Sequence, residues 1–148
     1  MTLDNISWQG FHHVATIARD LDATIAFYRD VLGMQIGEIH EARGGKTRHC
    51  FITPGTTRAW GLHVWESTNA EMPPLPESLT WQQPDTIMAG LIQHIAFTLP
   101  DEEAGLALRE RLRQHGSRFS DIVDFGGLRS LTFLDNNGTM LEAIWTQP

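Results

Sequence analysis

One cysteine, one tyrosine and 11 basic residues in 148 are the first shortages of this chain, and each closes off a class of function. A lone Cys50 cannot supply an intramolecular disulfide framework or a cysteine-rich zinc site. It lies in the strand-like run Arg48-His49-Cys50-Phe51-Ile52, which favours a buried thiol over a nucleophile. Against the 11 Lys and Arg stand 18 Asp and Glu, for a net charge of −7. Phosphate binding rests on an excess of Lys and Arg, and no basic cluster offsets this deficit, so no nucleic-acid partner is expected. No apolar run approaches the roughly 20 residues that cross a bilayer. Met1-Thr2-Leu3-Asp4-Asn5 lacks the positive charge and apolar core of a signal peptide. The expectation is a cytoplasmic protein with no membrane or nucleic-acid partner, acting on a small-molecule substrate. At 148 residues, 41% of them hydrophobic, the chain can bury a real core as one domain or two fused modules.

What the chain does have is a repeat. Phe11-His12-His13-Val14-Ala15-Thr16 is echoed by Ile92-Gln93-His94-Ile95-Ala96-Phe97. Each is followed by an acidic, helix-like segment, and each module closes on an apolar strand with one coordinating side chain, Leu62-His63-Val64-Trp65 and Leu141-Glu142-Ala143-Ile144-Trp145. The opening histidine and the closing polar residue lie 50 residues apart in one copy and 48 in the other. A duplicated unit folds into two similar halves, so four metal-capable groups at matching positions can meet between them.

The pattern within each copy reads strand, helix, then three strands. In the first module (about 8–67) a strand covers about 10–18, and Asp20 or Asp22 caps a helix with Leu21, Ile25, Tyr28 and Leu32 on one face, ended by Gly33. Strands are expected near Met34–Ala42, Thr47–Thr53 and Trp60–Ser67. In the second (about 91–148) a strand covers Leu91–Thr98. Pro100-Asp101-Glu102-Glu103 opens a helix with proline in its first turn, running through Ala104–Gln114 to Gly116. Strands follow near Arg118–Val123, Leu128–Leu134 and Thr139–Thr146, the last two joined by a hairpin at Asp135-Asn136-Asn137-Gly138. Between the modules, the connector at about 68–90 holds Met72-Pro73-Pro74-Leu75-Pro76 and Gln83-Pro84-Asp85. It suits neither helix nor central strand, and Leu75, Leu79 and Trp81 call for burial. It is a packed spacer or a lid.

Singly, a histidine in an apolar strand is usually a core residue. The constellation of His13, His63, His94 and Glu142 changes that reading. An ionised Glu142 among Leu141, Ala143 and Ile144 is costly to bury unless it is paired or binds a cation. Imidazole and carboxylate without thiolate suit one divalent ion, namely Ni, Zn, Co, Mn or Fe. Glu66 competes with His63 but has the opposite parity on its strand.

His13-Val14-Ala15, then Asp20-Leu21, then Phe27-Tyr28-Arg29-Asp30-Val31-Leu32-Gly33-Met34 resembles the opening motif of the vicinal oxygen chelate superfamily. That group includes glyoxalase I, extradiol dioxygenases, methylmalonyl-CoA epimerase and fosfomycin and bleomycin resistance proteins. His94-Ile95-Ala96-Phe97 and the stretch from Arg129 to Glu142 are similar to it as well. The resemblance implies an α+β protein of two tandem βαβββ modules forming a curved mixed sheet around a central cleft with one divalent metal. It also implies a homodimer, since members are commonly dimers and some build their metal sites across chains. Carried over, the metal residues fall on His13, His94 and Glu142. A fourth falls on His63, where glyoxalases and the epimerase usually have glutamate or glutamine.

Ligand count separates reaction types. Four protein ligands in an octahedron leave two positions for a substrate with vicinal oxygens, which suits a glyoxalase-like lyase or isomerase in which Glu142 also moves protons. Three leave room for dioxygen too, as in a ferrous extradiol-type dioxygenase. Such dioxygenases usually carry a late active-site tyrosine, whereas Tyr28 belongs to the helix motif. A non-catalytic, resistance-type binding protein is the third reading. Trp60, Trp65, Trp81 and Trp145 are read mainly as core or dimer contacts, and Arg48 and Arg129 as substrate anchors or ion pairs. His12, His40, His49 and His115, without partners in the repeat, are read as structural or exposed.

Overall fold

The structure, a computed structural model, describes residues 10–56, 61–79 and 90–147. Trp60 and Trp81 lie outside them. Within them the expected duplication is present as two mixed sheets. The first has the order β1 (His13–Ala18), β5 (Gly61–Glu66), β4 (Thr47–Thr53), β2 (Gln35–Ile36), with β3 (His40–Ala42) also on β4. The second has the order β6 (Ile95–Thr98), β9 (Met140–Thr146), β8 (Leu128–Leu134), β7 (Val123–Asp124). In each, the opening strand runs parallel to the closing strand and the remaining pairs are antiparallel.

Each module's crossover is a capped helix. Asp20 accepts from the Ala23 N–H at 2.9 Å to start α1 (Leu21–Ala26), which widens into a π-helical turn at Phe27–Val31. Asp101 does the same for Ala104 in α2 (Glu102–His115). Asp101 is thus the cap, and Pro100 precedes the helix rather than occupying its first turn. Gly33 and Gly116 end the helices at φ +71° and +76°, backbone that side chains other than glycine's rarely adopt.

The core gathers the inward faces of both sheets with both helices. It holds Ala18, Leu21, Tyr28, Ile52, Leu62 and Val64 from the first module and Leu112, Leu131, Phe133, Leu141 and Trp145 from the second. Polar clamps join the halves. Tyr28 donates to Asp135 at 2.8 Å, and the Asn136 and Asn137 amides donate to the Thr24 hydroxyl. Burial pushes the Asp135 carboxyl and the Tyr28 phenol above their usual pKa ranges.

Several expectations are corrected. The run Met34–Ala42 is two strands, broken around Gly37, whose N–H donates to the Phe51 carbonyl at 2.7 Å. Arg118–Val123 is no full strand. Phe119 makes a single bridge to Phe133, and Ser120 takes the Thr132 N–H on its hydroxyl instead of in the ladder. In the connector Leu79 is buried, but Leu75 is 54% exposed. Pro73 and Leu75 instead lie beside Gly138, where an added Cβ would sit 3.0 Å from Leu75 Cδ2.

Candidate metal centre

Strand parity puts His13, Ala15 and Ile17 of β1 on the same face as His63 and Trp65 of β5 and His49 and Phe51 of β4. The opposite face carries Val14, Leu62, Val64, Cys50 and Ile52 into the core. His13 is solvent exposed, with its ring 5.4 Å from that of His63. His13 Nδ1 lies 2.7 Å from His12 Nδ1. His63 is bonded at both nitrogens: Trp65 Nε1 is 3.2 Å from its Nδ1, and its Nε2 is 2.9 Å from His49 Nδ1. Its ring stacks on Phe51, and the His49 ring stacks on Trp65. Burial, then the neighbouring His49 and His13, hold the His63 pKa below the usual histidine value, which favours neutral imidazole.

The second sheet builds a tighter pair. Glu142 is 3% exposed, and its carboxylate is divided between two partners. Ser130 donates its hydroxyl to Oε1 at 2.5 Å, while Oε2 lies 3.0 Å from His94 Nε2. His94 Nδ1 is 2.9 Å from the Gln93 side-chain oxygen. This arrangement is compatible with a metal ligand, because a coordinating histidine usually donates its second ring N–H to a nearby oxygen. Bonds of about 2.1 Å at right angles hold two ligand atoms about 3.0 Å apart. The Nε2–Oε2 pair already has that spacing, and the donor set fits a divalent ion. A cavity of about 550 Å³ is lined by Ser130, the partner of Glu142, and by Thr132, Phe119, Val123 and Phe125. Ser78 and Leu79 of the connector close one side.

The four sequence-derived candidates are therefore two pairs, His13 with His63 and His94 with Glu142. Among the described residues no three His, Cys, Asp or Glu side chains converge on a metal-sized site.

A family model for the Glyoxalase/Bleomycin resistance protein/Dioxygenase superfamily matches residues 10–143. The chain belongs to that superfamily. No curated protein matches it significantly. Solved structures match over nearly the whole chain. A glyoxalase/bleomycin resistance protein/dioxygenase domain from Frankia sp. EAN1pec is 22% identical, with a TM-score of 0.72, covering 95% of this chain and 93% of its own. The fosfomycin resistance protein FosX of Listeria monocytogenes, solved with Mn(II) and a dihydroxypropylphosphonic acid, is 18% identical with a TM-score of 0.67 over 93% and 92%. The trypanothione-dependent glyoxalase I of Leishmania major is 19% identical with a TM-score of 0.66 over 93% and 86%. At these identities the likeness shows the fold.

Within the superfamily fold the remaining sequence candidates also find their places. Glu66 faces the helix side. It accepts from the Leu21 N–H and pairs with Arg48, which also holds Asp22. Arg129 pairs with Glu102 and Asp124. Both arginines thus fasten a helix to a sheet through the ion pairs that were one of their two expected roles. Trp145 is buried and donates to Glu102, but Trp65 lies on the cleft face and not in the core. His49 and Ser130 were not singled out from sequence. They occupy the same place in the two modules, 81 residues apart, each hydrogen-bonded to the candidate on the next strand. That offset, with strand parity, was the signal available.

Proposed function

We propose that the chain is a divalent-metal-dependent enzyme with His13, His94 and Glu142 as ligands. It acts as a lyase or isomerase on a small substrate that chelates the metal through two adjacent oxygens. The observation that carries this reading is the buried Glu142 carboxylate, one oxygen held by Ser130 and the other facing His94 Nε2. A bound divalent ion supplies Lewis-acid stabilisation of oxyanion charge developing on the substrate. Gln93 fixes the His94 ring. Ser130 holds Glu142 Oε1, so Oε2 is the atom left to coordinate or to move a proton. The cavity lined by Ser130 and Thr132 receives the substrate's remaining atoms.

His13 completes this set from a second copy of the chain. β1 and β6 are outer strands of their sheets among the described strands, and both present unpaired edges. Ile17 of β1, Phe11 just before it, and Leu91 and Ile92 ahead of β6 stand more than half exposed. A homodimer that sets the β1 edge of one protomer against the β6 edge of the other covers these side chains and unites the two half-sites.

A ferrous extradiol-type dioxygenase is the second reading. The hydrogen bonds on both His63 nitrogens favour it, since a three-ligand centre has room for a chelating substrate and a further molecule. Against it, the only tyrosine is committed to Asp135 in the core.

Calorimetric titration with Mn, Fe, Co, Ni and Zn tests the centre. One ion per chain is expected, with binding lost in Glu142→Gln and His94→Ala while circular dichroism stays native. Absence of binding by every ion refutes the enzyme reading. Loaded protein that exchanges α-protons of hydroxycarbonyl compounds with D2O is a lyase or isomerase, whereas oxygen uptake with catechols marks the dioxygenase.

A further inference from the structure

The closing strands of the two modules carry His63 and Glu142 at equivalent positions, yet their hydrogen bonds run in opposite directions. Glu142 accepts a hydrogen bond from the Ser130 hydroxyl and keeps its second oxygen for His94 or a cation. His63 lies between two partners that leave it nothing to spare. An indole N–H only donates, so the bond from Trp65 Nε1 requires a bare Nδ1 on His63. The proton of the neutral ring then sits on Nε2, where it is donated to His49 Nδ1. The register makes this asymmetry structural. Trp65 is paired with His49 across β4 and β5, and the equivalent pair across β8 and β9 is Ser130 with Ile144. Ile144 has no side-chain N–H to give, so Glu142 meets no counterpart of the Trp65 indole from that position. The stacks of His49 on Trp65 and of Phe51 on His63, with rings 4.1 and 4.2 Å apart, hold both planes in place.

We propose that Trp65 and His49 are positioning residues that lock His63 as its Nε2–H tautomer and so keep it out of the metal's ligand set. This rests on the metal-centre reading and settles its ligand count at three. Coordination through His63 Nδ1 would strand the indole N–H. Coordination through Nε2 would require the other tautomer, which Trp65 opposes. His63 stands beside His13, its ring held by Phe51, Trp65 and His49.

The test is ring-nitrogen NMR on the full chain labelled with 15N-histidine, first without metal and then with zinc alone. In metal-free protein His63, assigned with His63→Gln, is expected to show an unprotonated Nδ1 and a protonated Nε2. Trp65→Phe should average its two nitrogen shifts, because the proton is no longer confined. Zinc should move the ring nitrogens of His13 and His94 and leave both of His63 in place. Zinc affinity should fall by no more than about 10–100-fold in Trp65→Phe and His63→Gln, the loss typical of groups outside the ligand shell. An Nδ1–H tautomer in native protein, a tautomer unchanged in Trp65→Phe, or a zinc-shifted His63 nitrogen each overturns the proposal. Zinc that moves no histidine overturns the metal centre and the ligand-count conclusion with it. The tautomer lock is still decided by the metal-free spectra.

Discussion

Glu66 lies three residues from His63, yet its hydrogen bonds remove it from the centre. The Arg48 guanidinium, and then the Leu21 N–H, hold its pKa below the usual glutamate value of 4.5. Because that pKa is lower in the folded chain, the stabilisation is complete above the ordinary value and is lost as pH falls through the folded one. Glu66→Gln should cost about 1–3 kcal/mol at neutral pH. Urea midpoints from pH 7 to pH 3 should fall less steeply in this variant than in the native chain. Parity alone placed Glu66 on the far face, because a strand's period of two is visible in any sequence. The partnership of His49 with His63 was not visible in that way. It depends on the register of β4 against β5, which no local pattern states. Arg48 and Arg129 were likewise ambiguous until their helices supplied Asp22 and Glu102 as partners.

At the scale of elements, α2 is seated by a residue that helix propensity disfavours. Gly105 lies against the indole of Trp145, and an added Cβ would stand 2.5 Å from the ring. Alanine at an exposed helical site gains up to about 1 kcal/mol over glycine. Here Gly105→Ala should instead destabilise by about 1–3 kcal/mol through overpacking, readable as a lower thermal midpoint. The strands legible from sequence were those with strong patterns and flanking turns. Thr47–Thr53 and Leu128–Leu134 have the expected bounds. Where a side chain or a glycine intervened, as at Ser120 and Gly37, hydrogen bonding overrode the apolar pattern. The Asn137-Gly138 turn formed differently from a two-residue hairpin. Gly138 alone takes positive φ, and Asp135 Oδ1 accepts from the Asn137 and Thr139 N–H groups.

For the whole molecule, the repeat marks the two pairs from which the proposed site is built, and whether one chain or two supply them is a question of assembly. A mixing experiment can decide it. His13→Ala and Glu142→Gln each abolish metal binding if the proposed ligand set holds. Refolded together, they should recover about a quarter of the native sites, because half the dimers are mixed and each of these has one intact centre. Sites built within single chains would show no recovery. If the proposed dimer joins β1 and β6, the outer strands among the described ones, occupancy becomes a matter of mass action. A centre that borrows one ligand from a neighbour releases its ion when protein is diluted below the dimer's dissociation constant, even at constant free metal. Cellular abundance of the polypeptide would thereby set the fraction that is catalytically competent.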